Sequence, residues 1–302
     1  MKEDVNLKTL FAKYRHNDHA LGIFFIVCSA FCFSLMSLFI KQAGPLPTFE
    51  KALFRNLVAL IVATVILGRT EEGFRPQKGS GFGLFMRAFC GTLGLLCNFY
   101  AIDRLGLADA NILNKMAPFF AMIVSAFIIG ERPNRIEILC VVLAFVGAVF
   151  VIKPSAGFAA SFPAFVGLLG GLGAGTAYAF VRKLGLHGER GPVIVFAFSL
   201  FSVLLCLPFT ILHFVPMTAR QLICLLIGGT AAAGGQLTVT AAYTHAPAME
   251  ISVFDYTQVL FATMWGLFFF GEIPDLWSFA GYAVIIGTAV FKWYYNLHLK
   301  KA

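Results

Sequence analysis

Residues 130–133 read Gly-Glu-Arg-Pro, and residues 271–274 read Gly-Glu-Ile-Pro, at an offset of 141 from Gly130 to Gly271. Each stretch closes one long apolar segment and opens the next. Asn134 and Asp275 follow at positions where a helix needs an N-cap, and Asn134 with Glu137 has the spacing of a capping box. The sequence therefore predicts two copies of one unit, with a helix starting after each motif.

Long apolar segments dominate the chain. Hydrophobic residues make up 59% and charged residues 13% of its 302 residues, against roughly 45–50% and 25% in soluble proteins. A helix needs about 20 apolar residues to cross a hydrocarbon core roughly 30 Å thick. Ten segments meet this requirement, which predicts an all-α protein embedded in the lipid bilayer. The predicted spans are 20–40, 48–68, 80–101, 107–129, 135–152, 162–182, 192–213, 220–242, 248–270 and 275–294.

The number of spans in each copy fixes how the copies are related. Five is an odd number of crossings, so the second copy enters the membrane from the side opposite to the first. Inverted repeats with a site between them near the midplane are typical of secondary transporters, because rocking one half against the other exposes that site to either side. The sequence thus predicts alternating access around a central cavity.

Positive charge is distributed unevenly among the loops. If the N-terminus is cytoplasmic, most Lys and Arg of the loops and tails fall on the cytoplasmic side, and the exceptions among them are Lys41, Arg104, Lys153 and Arg220. The positive-inside rule then predicts cytoplasmic tails at 1–19 and 295–302, in a multi-pass protein of the cell (inner) membrane. The net charge of +8 is spread over the loops and forms no clustered basic patch. No nucleic-acid partner is therefore predicted.

The sequence lacks the usual catalytic and metal-binding motifs. HExxH, GxSxG and Walker motifs are absent, and the seven Cys lie in apolar segments without CxxC spacing. We predict no cofactor and no metal, and a carrier driven by gradients is favoured over an ATP-driven pump. An intramembrane enzyme would need a convergent nucleophile and base, and a channel a continuous polar face; both are disfavoured.

Two further features are interpreted as structural. The small-residue runs Gly167–Gly175 and Gly228–Gly235 predict close helix packing or flexible bending. Glu131 and Glu272 end their helices at the membrane edge, where ion pairs with loop Arg residues or contacts with helix starts are the ordinary explanation.

Four motifs occur in a characteristic order: Tyr100-Ala101, Pro118 with the apolar run to Gly130-Glu131, Gly147 to Lys153-Pro154, and Asp255-Tyr256-Thr257-Gln258 with the run to Gly271-Glu272. In these motifs the chain resembles the EamA family of the drug/metabolite transporter superfamily, over nearly its whole length. The resemblance implies ten helices in two inverted five-helix repeats, at 20–154 and 162–294, around a central cavity. It also implies import or export of small organic solutes. Val259 stands where Pro118 would map, so a Pro kink is expected in the first repeat only.

Charged residues inside the spans are the primary site candidates, since each costs about 2.5–3.5 kcal/mol there and normally faces a cavity or a partner. Lys115 in the fourth span is predicted to bind an anionic group. Asp255 in the ninth is predicted to meet a cationic group or a coupling proton. Arg55 and Arg87 either assist Lys115 or extend to the lipid head groups.

Polar residues share helix faces with these charges, at i, i+3 and i+4 spacing. Helical rise predicts a difference in depth of roughly 10 Å between Lys115 and Asp255, enough for a solute to fit between them. The alternative is that the two neutralise each other as a structural pair. The remaining candidates for solute binding are Asn111 and Asn114 in the fourth span, Ser252 and Tyr256 in the ninth, and Asn98, Tyr100, Tyr178 and Gln236 elsewhere.

The predicted function is secondary transport of small polar organic metabolites, with amino acids or other zwitterions as the leading substrates. Three embedded cations against one embedded carboxylate leave organic anions as the alternative. Coupling to protons or to a counter-substrate stays open. So does the choice between monomer and dimer.

Overall fold

The computed structural model describes residues 7–105, 113–152, 162–271 and 273–299. Over these ranges every regular element is helical, which confirms the predicted all-α fold. The helices are α1 (Leu7–Gln42), α2 (Thr48–Gly68), α3 (Gly81–Leu105), α4 (Ala117–Ile128), α5 (Arg135–Ile152), α6 (Phe162–Leu186), α7 (Gly191–Leu212), α8 (Ala219–His245), α9 (Ala248–Ile251), a 3₁₀ segment (Ser252–Tyr256), α10 (Thr257–Phe270), α11 (Leu276–Tyr294) and a π turn (Tyr295–Leu299).

In the described part of the chain, nine helical segments are long and apolar enough to cross a membrane. One of them, Ala248–Phe270, combines α9, the 3₁₀ segment and α10. The fourth predicted span is represented by the shorter α4, and residues 107–112 of that span lie outside the described ranges. The first helix begins at Leu7, well before the predicted start of its span at 20.

Helix packing follows a reciprocal pattern between the two halves of the chain. α1 packs on α8, and α3 packs on α6. The first pairing joins spans one and eight, and the second joins spans three and six. Spans one and three of the first repeat correspond to spans six and eight of the second, so each pairing is the counterpart of the other. The second and seventh spans (α2 and α7) contact each other, as do the fifth and tenth (α5 and α11). This is the packing expected of two repeats related by a pseudo-two-fold axis.

The helix starts after the repeated motifs are capped as predicted. The backbone N–H of Glu137 donates to Asn134 Oδ1 at 2.8 Å, and that of Asn134 donates to Glu137 Oε2 at 2.9 Å. In the second half, the Ser278 N–H donates to Asp275 Oδ1 at 3.0 Å. Since these side chains satisfy amide groups that the first helical turn leaves unpaired, they fix where α5 and α11 begin.

The glycine-rich runs bring helices into backbone contact, which confirms the predicted close packing. A Cβ atom on Gly94 of α3 would lie 2.8 Å from the backbone nitrogen of Ala174, and one on Gly173 of α6 would lie 2.8 Å from the carbonyl oxygen of Cys90. On α8, a Cβ atom on Gly235 would lie 2.7 Å from the Phe33 ring of α1. The α1–α8 and α3–α6 contacts, the most extensive in the described bundle, therefore depend on glycine residues, which have no side chain to hold the helices apart.

The fourth and ninth spans are both interrupted near their middle. Lys115 and Met116 form a turn before α4, and the 3₁₀ segment precedes α10. The expectation of a Pro kink in one repeat only does not account for this. Pro118 sits in the first turn of α4, where proline is tolerated because its missing N–H would be unpaired anyway. The second repeat has Val259 at the position that matches Pro118, yet its span also changes from a 3₁₀ segment to an α-helix there. The interruption is therefore common to both repeats and does not depend on the proline.

Candidate functional site

A cavity of about 390 Å³ lies between the two halves of the chain, within the size range of small-molecule sites. It is lined from α1, α2 and α3, from α6, α7 and α8, and from both interrupted spans. It extends from the middle of the helices to the exposed Lys41 at the end of α1. The predicted site residues that line it are Arg55, Arg87, Asn98, Asn114, Lys115, Tyr178, Gln236 and Asp255.

Arg87 is held in the cavity wall by contacts with the second half of the chain. Its side chain lies on the stripe of α3 that faces the cavity and is only 2% exposed. Nη2 donates to Gln236 Oε1 at 2.9 Å, and the guanidinium carbon lies 4.3 Å from the centre of the Phe198 ring. Gly91 leaves room for it, since a Cβ atom there would lie 2.3 Å from Arg87 Nη1. The buried Nε of Arg87 has no hydrogen-bond partner among the described residues.

Arg55 reaches the same cavity from α2. It is 5% exposed, its Nη1 donates to Asn56 Oδ1 at 3.3 Å, and its Nε lies 3.0 Å from the weak acceptor Met36 Sδ. Its burial excludes the predicted alternative in which this side chain extends to the head groups, and the same holds for Arg87. Within the described ranges, neither guanidinium group has a carboxylate within ion-pair distance. Tyr178 lines the same cavity as both arginines.

Lys115 and Asp255 contact each other directly, so the predicted separation of roughly 10 Å with a solute between them is wrong. Lys115 Nζ lies 3.1 Å from Asp255 Oδ2, and it also donates to Gln258 Oε1 at 2.7 Å and to the Asp255 carbonyl oxygen at 3.3 Å. The estimate assumed two continuous helices, whereas both are interrupted at these residues. The long, flexible lysine stem then spans the remaining gap. The contacts match the alternative of a neutralised pair that bridges the repeats.

Four predicted site residues are not among the residues that line the cavity. Tyr256 is fully buried, and its hydroxyl donates to the Lys115 carbonyl oxygen at 2.9 Å, which ties the two interruptions together. Ser252 is also fully buried, in the same 3₁₀ segment as Asp255. Tyr100 lies beside the cavity stripe of α3 and carries the Arg104 guanidinium over its ring at 5.3 Å. Asn111 lies outside the described residues.

Several cavity residues escaped the sequence analysis. Gln258 accepts from Lys115, and its position three residues after Asp255 was a signal for it. Phe198 was one of 34 phenylalanines, and nothing in the sequence distinguishes it. Lys41 and Lys51 add positive charge toward the α1–α2 loop. Among the described residues, the cavity is therefore lined by five Lys and Arg side chains and by one carboxylate.

At the end of the bundle away from Lys41, an ion pair joins the two halves of the chain. Arg182 of α6 lies 2.9 Å from Glu131 Oε1, and its Nη1 donates to the Thr244 carbonyl oxygen at 3.1 Å. This confirms the structural interpretation of Glu131. Glu272, for which the same role was predicted, lies outside the described residues.

Comparison with known proteins gives the same architecture. The profile of the EamA-like transporter family matches residues 20–153 and again residues 161–293. The pseudopaline exporter CntI of Pseudomonas aeruginosa is 32% identical over 271 residues, which is 89% of this chain and 94% of that protein. An uncharacterized transporter of Helicobacter pylori is 29% identical, covering 89% and 93% of the two chains.

More distant relatives extend the comparison. Human solute carrier family 35 member G1 is 25% identical, covering 94% of this chain and 82% of that protein. One solved crystal structure matches with a TM-score of 0.75 at 17% identity, over 89% of this chain and 94% of the other. At that identity the structural match shows the fold alone.

Proposed function

The chain belongs to the EamA-like transporter family, and from this premise we propose that it carries small organic anions, carboxylates above all, across the membrane by alternating access. The protein is a multi-pass membrane transporter. Its partners in this proposal are the anionic solute and a coupled proton or counter-substrate. Both termini are placed in the cytoplasm on the charge distribution of the loops.

The observation that carries the proposal is the pair of buried guanidinium groups that have no carboxylate partner in the part of the chain that the structure describes. Burying an unpaired charge in a membrane protein is costly, and such residues normally mark the path of a substrate or ion. Arg55 and Arg87 lie in one cavity wall, and arginine binds carboxylates through two parallel, charge-assisted hydrogen bonds. The unpaired Nε of Arg87 is a donor for such a ligand. An organic anion would offset the excess of positive over negative side chains in the described cavity lining.

Zwitterions such as amino acids are the second candidate. Asp255 lines the same cavity and its side chain is 19% exposed. A ligand ammonium group could bind there, but it would have to displace or share the Lys115 amine. The anion needs no such rearrangement, because among the described residues no carboxylate occupies Arg55 or Arg87. We propose export as the direction of transport, because one relative is named as an exporter.

A panel of solutes separates the two candidates. In detergent, the purified protein is heated with mono- and dicarboxylates, zwitterionic amino acids and organic cations at equal concentration and ionic strength. Because a ligand that binds the folded state raises its apparent melting temperature, we expect stabilisation by carboxylates. Counterflow of the stabilising solute in proteoliposomes should then show transport. Stabilisation by amino acids alone would favour the second candidate, and stabilisation by cations alone would contradict both.

Gly91→Ala tests the position of the Arg87 guanidinium. The added methyl group would lie 2.3 Å from Nη1 and 3.0 Å from the Phe198 ring, so the flexible guanidinium must move while the helix backbone stays in place. We expect affinity for the carboxylate to fall about tenfold, equivalent to about 1.4 kcal/mol, with the melting temperature of the unliganded protein nearly unchanged. Gly287→Ala is the control, since a Cβ atom there meets no atom within 4 Å. Equal carboxylate affinities in the two variants would contradict this placement.

A further inference from the structure

A second cavity of about 350 Å³ branches from the first between α1 and α10. We call it the side chamber. Val151 and Ile152 at the end of α5 close part of its wall. The residues that line both cavities, and so form the junction, are Ser37, Lys41, Asn114, Lys115 and Gln258.

Beyond the junction, the side chamber is lined mainly by apolar side chains on its helical walls. On α10 its wall includes Val259, Ala262, Gly266 and Phe270, which follow the spacing of one helix face. Leu38 lies across from them on α1.

The hydroxyl and indole groups of the side chamber are already bonded inside the protein. Thr263 Oγ1 donates to the carbonyl oxygen of Val259 at 3.0 Å, and Ser34 Oγ donates to that of Phe31 at 2.7 Å. The Trp265 indole nitrogen donates to Ser34 Oγ at 3.0 Å. These groups therefore have their hydrogen bonds within the walls, and what they leave for a ligand is mainly methyl, methylene and ring surface.

The charged and amide side chains of the two cavities lie in the main cavity and at the junction. The residues that line only the side chamber are mainly apolar. A volume of about 350 Å³ is far larger than the voids of ordinary helix packing and lies in the range of ligand pockets. We propose that the side chamber binds the apolar arm of the transported anion while its carboxylate lies on the main cavity's cations. This inference rests on the proposed function and narrows it to amphipathic organic anions.

Affinity should then rise with the length of the apolar arm. In calorimetric titrations of the purified protein with straight-chain carboxylates from acetate to hexanoate, each added methylene should increase affinity about three- to fourfold, as expected for its burial. Ala262→Phe adds a ring to the α10 wall of the side chamber, at a position that is not among the residues lining the main cavity. In this variant the increase with length should be lost, and acetate affinity should be unchanged. Ala262→Leu is a smaller second variant, for which a partial loss is expected.

Ala283→Phe is the matched control, because Ala283 is exposed on α11 and lines neither cavity. It corrects for partition of longer carboxylates into detergent. Equal affinity for all chain lengths, or a chain-length dependence that survives Ala262→Phe, would overturn the side chamber as a binding site and leave the proposed function intact. Absence of binding for every carboxylate, acetate included, would overturn the proposed function and this inference with it.

Discussion

Arg87→Gln should reduce carboxylate transport at least 100-fold while the protein stays folded. The substitution removes a charge-assisted donor whose loss from a desolvated pair typically costs 2–5 kcal/mol of binding, or roughly 30-fold to several thousand-fold in affinity. Thermal stability should hold or rise, because the described structure gives Arg87 no carboxylate partner and its burial is costly. The measurement is initial counterflow in proteoliposomes at a solute concentration below KM, with the melting temperature taken in parallel.

A loss of transport without a loss of thermal stability would distinguish a substrate-binding role of Arg87 from a merely structural one. Arg104→Gln is the matched control, since Arg104 lies on the same helix but is exposed and outside the cavity lining. We expect transport near that of the unmodified protein in this variant. An Arg87→Gln protein that transports carboxylates normally would remove Arg87 from the binding site. A variant that loses both activity and stability would instead indicate that Arg87 acts through the packing of α3 on Phe198.

Gly94→Leu should leave little folded protein. A Cβ atom at this position would lie 2.8 Å from the Ala174 nitrogen and 2.9 Å from the Gly170 carbonyl oxygen, both of which are backbone atoms of α6. Backbone cannot rotate away as a side chain can, so α3 and α6 must separate along one of the most extensive contacts in the molecule. Overpacking commonly costs 1–3 kcal/mol, and we expect at least about 3 kcal/mol here, which corresponds to a drop in melting temperature of roughly 10 °C.

The experiment compares Gly94→Leu with Gly287→Leu. Gly287 is also a helical glycine, but a Cβ atom there meets nothing within 4 Å, so this control carries the same change in side chain without a new contact. Fluorescence-detected size-exclusion chromatography gives the folded yield, and thermal melting gives the stability. Equal yield and stability of the two variants would show that α3 and α6 can separate without cost.

The local and periodic features of this protein were predictable from its sequence. The capping residues Asn134 and Asp275 set helix starts through contacts within one turn, which depend on neighbours in the chain and not on the rest of the fold. The apolar segments predicted helices because backbone groups in a hydrocarbon core must satisfy each other. The repeated Gly-Glu-x-Pro motif predicted two halves in inverted orientation. Arg55, Arg87, Lys115 and Asp255 were found because charge inside a span is rare and costly.

The tertiary structure alone decided which of these charges pair. Lys115 and Asp255 were predicted to be separated by a solute, but the interruptions of both spans bring them to 3.1 Å, and depth counted along ideal helices cannot include such a change. The rotation of each helix about its axis is likewise set by packing. For this reason Tyr100 and Tyr256, which were predicted to bind solute, do not line the cavity, whereas Phe198 and Gln258 do. The sequence by itself thus determined the helical membrane fold, its repeat and the charge content of the spans, since these follow from local polarity and from the repeated motif. Only the packing of one repeat on the other left two arginines without a carboxylate partner among the described residues and opened the side chamber, since both results depend on contacts between residues more than a hundred positions apart.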